Sequence, residues 1–588
     1  MNNLFQVELS GIIKILSDHL YSQPMVFIRE VLQNAIDAIK AREKQEAFEP
    51  KIQISFFENE KGAGFIITDN GIGLTKPQIQ EFLAKIGSSS KSLDTLNETR
   101  SDFIGQFGIG ILSCFMVSDA ITVITKSIES DTTFKWVGRM DGTYVIETAD
   151  QPLAEGTRII LTLRPDKKWT TNNIKDSVLK FGQHLPVPIE LEINGQHQGS
   201  INQVFPWEKS GAKDNILATG AELFGEPFQD YIPLLNPEDG SHQGVLYILP
   251  RPSSQVREIS GYLYVKRMFV SNRCGDLLPD WAVFVKPIIN TNHLSLNASR
   301  ESIYLNDDAK KLKEHIAFSI KNYFKKLSHE YPKLLQHILQ VHNNALKQIA
   351  IHDREFLSFI YKWFEFQTSQ GQMTLEVIRE KYQTIFHIPN VDEFRQIVPI
   401  ANAHQKLVLN TGFAYDAALI KAIERIDIEQ DYVKIDAQYF GNFLGEIDLK
   451  EDKLYRPRLL QLQEYLNSFD CKIKLKKFEP HLVAAIYHAS IDTLQFRDIE
   501  NIREESSSLW TSVSDNITTS KSPTPSKLYL NTNNKLVIEL LNESSNNEKA
   551  IIETLLVSSM MMGHYPLSQK ELNSLNDNLS QFLNLAIL

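Results

Sequence analysis

The sequence predicts an α+β protein built from several domains. Three observations carry that expectation. The chain has 588 residues, too many for one core at about 150 residues per domain. From Phe5 to about Gly195, helical stretches alternate with short β-rich runs, the pattern of a mixed sandwich rather than of a helical bundle. The composition, 42% apolar, 23% charged and 10% aromatic, belongs to a chain that can offset its ordering entropy.

The elements follow in order. Ile52-Gln53-Ile54-Ser55-Phe56-Phe57, Gly64-Phe65-Ile66-Ile67-Thr68 and Arg158-Ile159-Ile160-Leu161-Thr162-Leu163 read as strands. A polar stretch from 196 to 214 separates this part from a second β-rich part around Gly244 to Leu249 and Gly261 to Val265. Helical periodicity runs from 309 to about 363, and mixed segments to about 450 suggest a small α/β subdomain. A Ser/Thr/Pro-rich interruption at 506–527 reads as a mobile loop, followed by amphipathic helix candidates at 547–561 and 568–585. No internal repeat is present at solenoid or propeller periods.

Composition also excludes function classes. With 61 Lys+Arg against 72 Asp+Glu the net charge is −11, the wrong sign for a dedicated nucleic-acid binder, whose affinity rests on neutralising phosphates. The three cysteines, Cys114, Cys274 and Cys471, are far apart, which rules out a disulfide framework and a cysteine zinc site. The first ten residues lack a basic flank and apolar run, and no stretch reaches the ~18 apolar residues of a membrane span. The expectation is a cytoplasmic protein with no nucleic-acid and no membrane partner.

Four motifs carry chemistry. In Phe27-Ile28-Arg29-Glu30-Val31-Leu32-Gln33-Asn34-Ala35-Ile36-Asp37-Ala38, a helix places Glu30, Asn34 and Asp37 on one face and Ile28, Leu32, Ala35 and Ile39 on the other. Behind the run Phe65 to Thr68 comes Asp69-Asn70-Gly71-Ile72-Gly73. Alone that is a turn; a buried Asp69 there can also accept a hydrogen bond from an exocyclic amine. Gly105-Gln106-Phe107-Gly108-Ile109-Gly110 leads into the apolar helix candidate 111–115, and backbone N–H groups of such a loop can hold phosphates. It is neither a dinucleotide fingerprint, since no buried strand precedes it, nor a Walker loop, since no GK[ST] follows. Glu155-Gly156-Thr157 opens a strand, where a hydroxyl can close a pocket.

In this order and at these separations, the four motifs resemble the Bergerat-type nucleotide-binding fold of gyrase-type topoisomerases, sensor histidine kinases, mismatch-repair ATPases and heat-shock protein 90 chaperones. The resemblance implies a Bergerat-type α/β sandwich that binds ATP with Mg²⁺. In it Glu30 is the general base, Asn34 the Mg²⁺ ligand with Asp37 nearby, Asp69 the adenine reader and Thr157 its supporting hydroxyl. Gly73 and Leu74 lie beside the base, and Gly105, Gln106, Phe107, Gly108, Ile109 and Gly110 beside the phosphates.

The rest of the chain resembles the chaperone branch. Phe5 to Ser10, with Leu20-Tyr21-Ser22, looks like that family's swapping strand and first helices. Tyr264 to Val270, Leu278-Pro279-Asp280-Trp281, Phe284-Val285-Lys286 and Leu296-Asn297-Ala298-Ser299-Arg300-Glu301 are similar to its catalytic middle domain. There the arginine, Arg300 here, reaches the γ-phosphate. Leu528 to Asn533 and the two following helices look like its dimerisation domain. The resemblance therefore implies residues 1–208 as the ATP-binding domain with a lid over about 87–110, 209–450 as an α/β middle domain, and 451–588 as a mixed C-terminal dimerisation domain.

Some positions depart from the pattern. Tyr304 stands where the family carries a glutamine, Glu81 where many members have an asparagine, and Gly87 where they have a lysine. No long charged linker follows the first domain, and the residues up to Leu588 lack an acidic co-chaperone pentapeptide, so bacterial members are the closer match. The implied activity is that of a homodimeric, ATP-hydrolysing chaperone acting on client proteins. Met560-Met561-Met562 are either an adaptable client surface or core packing. Other classes remain: a nucleotide-gated scaffold for one partner, a mismatch-repair or gyrase-type ATPase, and a histidine kinase. None of the 15 histidines heads the His-Glu-x-x-x-Pro pattern the last requires.

Overall fold

The computed structural model describes residues 11, 23–60, 62–83, 110–165, 169–208, 213–235, 242–253, 259–297, 299–436, 439–489 and 525–587. Gly105, Gln106, Phe107, Gly108 and Ile109, Gly87 and the rest of the lid up to 109, the first ten residues, and 506–524 of the Ser/Thr/Pro-rich stretch lie outside them. The chain is multidomain and mixed α/β, and divides into two compact units, 1–323 and 324–588.

In the first unit eight strands form one sheet in the order β5-β4-β3-β6-β2-β1-β7-β8. They are β1 (Ile52–Asn59), β2 (Gly62–Asp69), β3 (Ala120–Lys126), β4 (Thr133–Arg139), β5 (Tyr144–Thr148), β6 (Gly156–Leu163), β7 (Ile189–Ile193) and β8 (Gln196–Ser200). All neighbours are antiparallel except β1 and β7. Helices α1 (Val26–Glu43), α2 (Lys76–Phe82) and α3 (Thr171–Gly182) accompany it. α1 docks through Phe27, whose ring meets Phe65 of β2 edge-on at 5.1 Å, the geometry that aromatic quadrupoles favour.

The expected two-faced α1 is buried almost all round. Ile28, Leu32, Ala35 and Ile39 are in the core, but Arg29, Glu30, Gln33 and Asp37 are buried as well, and of the helix's polar residues in this motif only Asn34 is exposed. The expected helix after Gly110 is a 3₁₀ segment, Gly110–Met116. The stretch expected to be a polar separator instead carries β8 and then Phe205, which is fully buried. Its few aromatics pack against the next part of the chain, a contact that averaged polarity does not reveal.

That next part holds α4 (Lys213–Phe224) and a second sheet ordered β12-β11-β13-β10-β9. Its strands are β9 (Asp230–Leu235), β10 (His242–Ile248), β11 (Ser260–Val265), β12 (Met268–Arg273) and β13 (Val285–Thr291). Val245, Tyr247, Tyr264, Met268, Phe269 and Ile288 share one continuous core with the first sheet. The division between units falls within α5 (Asp307–Glu330).

The second unit contains α6 (Pro332–His352), α7 (Arg354–Ile360), α8 (Leu375–Lys381), α9 (Val391–Ala403), α10 (Asp416–Glu424) and α11 (Tyr439–Phe443) around a sheet ordered β15-β14-β17-β16-β18. These strands are β14 (Glu365–Thr368), β15 (Gly371–Thr374), β16 (Thr384–Ile388), β17 (Val408–Asn410) and β18 (Asp431–Lys434), with β16 parallel to both β17 and β18. α12 (Leu449–Leu466) leads to a three-stranded sheet, β19 (Cys471–Lys476), β21 (Ser526–Asn531) and β20 (Ala485–His488), with β21 central. The expected mobile loop at 506–527 is therefore too long. Ser526 and Lys527 are in strand, because β21 pairs with β19 from Cys471 and Ser526 onward. α13 (Lys535–Asn542), α14 (Glu548–Met562) and α15 (Gln569–Ile587) complete the unit. No helix among the described residues is long and apolar enough to cross a membrane.

One buried ion pair ties α6 to α10. Lys347 Nζ donates to Asp416 Oδ1, both side chains are 3% exposed, and the ammonium lies 5.4 Å over the Phe366 ring. Burial raises the Asp416 pKa despite the adjacent Lys347 charge. Lys347→Met leaves a buried carboxylate unpaired and is expected to cost about 3–5 kcal/mol in urea unfolding, with Asp416→Asn in the same chain recovering most of the loss.

Candidate functional site

Sheet register gathers the first group of residues. Asp69, the last residue of β2, pairs with Thr157 of β6, and Thr157 pairs with Thr125 of β3. The three therefore stand in a row across three strands. The Thr125 hydroxyl accepts the Leu74 N–H at 3.0 Å, donates to the Gly156 carbonyl at 3.0 Å and lies 3.1 Å from the Thr157 hydroxyl. With its single proton directed to Gly156, Thr125 accepts from Thr157. The Asp69 carboxylate accepts the Gly71 N–H at 2.9 Å. Burial nonetheless pushes its pKa up to about 7, with backbone N–H groups of Gly71 and Thr157 working against that shift.

Two glycines are required by close approach. Gly73 has φ 65°, and a Cβ there would meet the Lys126 carbonyl oxygen at 1.9 Å; at Gly156, φ 130°, it would meet the Asp69 carbonyl at 2.1 Å. The loop presses on α1, where Ile72 N–H bonds the Ala38 carbonyl at 3.0 Å. Asp37 is thus one residue from the point where the Asp69 loop touches the helix.

The second group centres on Glu30. Its side chain is 2% exposed and receives Arg300 Nη1 at 2.8 Å on Oε2, although the two residues lie 270 positions apart. Arg29, equally buried, donates to Glu30 Oε1 at 3.1 Å and to the Ser299 and Arg300 carbonyls at 2.6 and 3.2 Å. Arg300 sits at the tip of a short hairpin closed by the Leu296–Ile303 bridge, with φ 56°. A Cβ on Gly110 would stand 2.5 Å from Glu30 Oε2, so the end of the glycine-rich segment lies against the carboxylate. Two guanidiniums meet one carboxylate here, and guanidinium groups are the usual partners of phosphate oxygens.

Of the expected site residues, Glu30, Asn34, Asp37, Asp69, Gly73, Leu74, Gly110, Thr157 and Arg300 all fall within the first unit. Asp69 pairs with Thr157, Thr125 links Thr157 to Leu74, and Glu30 joins Arg300 and lies against Gly110. Sequence reasoning assigned no part to Thr125 or Arg29. Nothing in the sequence marks Thr125, whose position emerges from strand pairing, whereas Arg29 stands directly beside Glu30. Tyr304 is 56% exposed and Glu81 is exposed on the last turn of α2, so neither side chain is buried in these contacts. Among the described residues no group of three or more His, Cys, Asp or Glu is arranged to hold a metal ion. Mg²⁺ usually keeps water and phosphate ligands and takes one or two protein oxygens, so the single exposed amide of Asn34 fits that ion.

Comparison with known proteins gives two family matches. Residues 21–161 match the family described as histidine kinase-, DNA gyrase B- and HSP90-like ATPase, and residues 249–388 match the Hsp90 protein family. Among relatives, the chaperone protein HtpG of Rickettsia bellii is 24% identical over 597 residues, covering 93% of this chain and 92% of that protein. The proteins of the same name from Baumannia cicadellinicola and Chlorobium chlorochromatii are each 25% identical, over 81% and 72% of this chain and 80% and 75% of their own.

The raised Asp69 pKa has a measurable consequence. A carboxyl whose folded-state pKa exceeds its unfolded value contributes stability that is complete below the unfolded pKa and lost as pH rises through about 7. Asp69→Asn is therefore expected to melt higher than the parent at pH 8, with the gap closing towards pH 5.

Proposed function

We propose, for a chain that the two family matches and the bacterial relatives assign to the heat-shock protein 90 family, an ATP-dependent molecular chaperone that hydrolyses ATP to remodel client proteins. The observation that carries this reading is the convergence of Glu30 and Arg300 from distant parts of the chain. The match at 249–388 lies outside the ATPase region shared with gyrase and histidine kinases and favours the chaperone over the nucleic-acid-linked alternative.

The adenine amine donates to Asp69, with Thr157, Gly73 and Leu74 around the base. The phosphates lie by Gly110 and face Arg29 and Arg300, and the sequence resemblance assigns Gly105 to Ile109 to them as well. Asn34 would hold Mg²⁺, which neutralises phosphate charge when bound. As long as Arg300 occupies Glu30 Oε2 at 2.8 Å, that oxygen is not open to an attacking water. A terminal phosphate competes for the guanidinium, and its arrival releases the carboxylate to take a proton from the attacking water. Exchange of ion-pair partners, rather than the chemical step, then sets turnover. The working division is 1–208 for ATP, with the lid over about 87–110, 209–450 for Arg300, and 451–588 for assembly, in a cytoplasmic protein.

The assembly is a homodimer formed through α15. Its inner face is polar: Glu571 and Asn578 are buried, and Ser574 and Asn578 bond Glu553 of α14 at 2.7 and 3.2 Å. Leu572, Leu579 and Leu583 point outward, 39, 43 and 63% exposed, an apolar stripe that a two-fold mate can cover. Met560 belongs to the core, whereas Met561 and Met562 are exposed and supply an adaptable apolar surface for clients.

Glu30→Ala should retain ATP binding and lose turnover by about 10²-fold or more. Arg300→Ala should lower kcat by up to about 10³-fold. Single-turnover hydrolysis measures both, and normal turnover in Glu30→Ala would exclude it as the base. Replacing both Leu579 and Leu583 by Asp should yield a monomer in sedimentation at micromolar concentration with an unchanged melting temperature. A dimer in that variant would place the interface elsewhere.

A further inference from the structure

The turn between β11 and β12 consists of two charged residues in the left-handed region, Lys266 at φ 50° and Arg267 at φ 69°. Long side chains seldom adopt that conformation, and backbone strain persists only where surrounding contacts hold it. At Arg267 the contacts are dense. Its N–H bonds Asn290 Oδ1 at 2.8 Å, its Nε donates to the His184 carbonyl at 2.7 Å, and its two terminal nitrogens grip both Glu208 oxygens at 2.5 and 2.8 Å. The guanidinium lies 5.0 Å over Phe205. Phe205 in turn stacks between His184 at 4.1 Å and Trp207 at 4.5 Å, with Tyr264 edge-on at 5.1 Å. A forked, planar pairing of this kind fixes orientation as well as distance.

This brace leads in two directions, and both end at the candidate site. Met268, the next residue, receives Gln33 Nε2 at 3.1 Å, one helical turn beyond Glu30 on α1. On the other side, Lys266 N–H bonds the Thr291 carbonyl at 2.9 Å, the end of β13 from which the chain runs into the Arg300 hairpin. Arg29 holds the tip of that hairpin through the Ser299 and Arg300 carbonyls, and Arg267 holds its base through β13. The hydrogen bonds from Arg267 also lower the Glu208 carboxyl pKa.

We infer that Glu208 and Arg267 are positioning residues that fix the second sheet against the first domain, and thereby set where Arg300 meets Glu30. Their hydrogen bonds run to each other and to Phe205, His184 and Asn290, so they act on Arg300 and Glu30 through geometry. The kinetic consequence rests on the ATPase reading above; the structural consequence does not.

The test uses the full chain with Glu208→Gln and Arg267→Gln, singly and together. ATP affinity should stay within about twofold of the parent and the melting temperature should hold. Misplacing the arginine should cost about 10- to 100-fold in kcat, with the double variant no worse than either single one. Amide exchange in the 295–304 hairpin should accelerate about tenfold or more in each variant. Unchanged exchange in the hairpin overturns the inference, and so does a loss of affinity and melting temperature in step with kcat, which would mark a merely structural role. If the parent chain does not hydrolyse ATP, the ATPase reading fails while the exchange measurement still decides the brace.

Discussion

Burying a carboxylate costs several kcal/mol unless partners replace its water, and Glu30, 2% exposed, is the place where this chain meets that demand most heavily. The partners come from opposite directions: Arg29 from the same helix, and Arg300 from a hairpin 270 positions away. Because α1 carries Glu30 on a face that would otherwise be solvated, the second sheet must lie close enough to deliver Arg300. Much else follows from that constraint, including the shared core of the two sheets and the burial of Phe205 in what composition presents as a polar separator. A surface ion pair would impose no such geometry, since exposed pairs contribute about 0–1 kcal/mol.

Asp69 meets its burial differently. At Asp69 desolvation outweighs the hydrogen bonds from the Gly71 and Thr157 N–H groups, and the pKa rises to about 7. The chain holds this costly group at a strand end, opposite Thr157, with glycines at 73 and 156 that let backbone pass within contact distance. Destabilised groups of this sort concentrate where a ligand supplies the missing partner. The Asp69 row and the Glu30 cluster therefore differ in kind: one is a buried carboxyl faced by backbone N–H groups, the other a carboxylate held by two guanidiniums.

A good part of this was legible in the sequence. The runs Ile52 to Phe57, Gly64 to Thr68 and Arg158 to Leu163 are rich in β-branched and aromatic residues, and all three are strands in one sheet. The two terminal helices lie within one or two residues of where apolar spacing puts them. Local pattern succeeds there because burial on one side of an element writes its period into the residues. It fails where burial is decided by a distant segment. α1 reads as two-faced and is buried nearly all round, the segment after Gly110 tightens to 3₁₀ against Glu30, and Ser526 and Lys527 read as loop until β19 and β20 pair with them.

The sequence by itself determined the inventory: Glu30, Asn34 and Asp37 at helical spacing, Asp69 before its glycines, Thr157 opening a strand, and Arg300 in a segment whose resemblance named it. Only the tertiary structure decided their company. Register put Thr125 in line with Asp69 and Thr157, and the β11–β12 turn, gripped by Glu208, set Arg300 on Glu30. The reason is physical. Spacing along a chain fixes which residues share a face, but the cost of burying a charge is met by whichever partner the whole fold can bring within about 3 Å, and no local pattern specifies that partner.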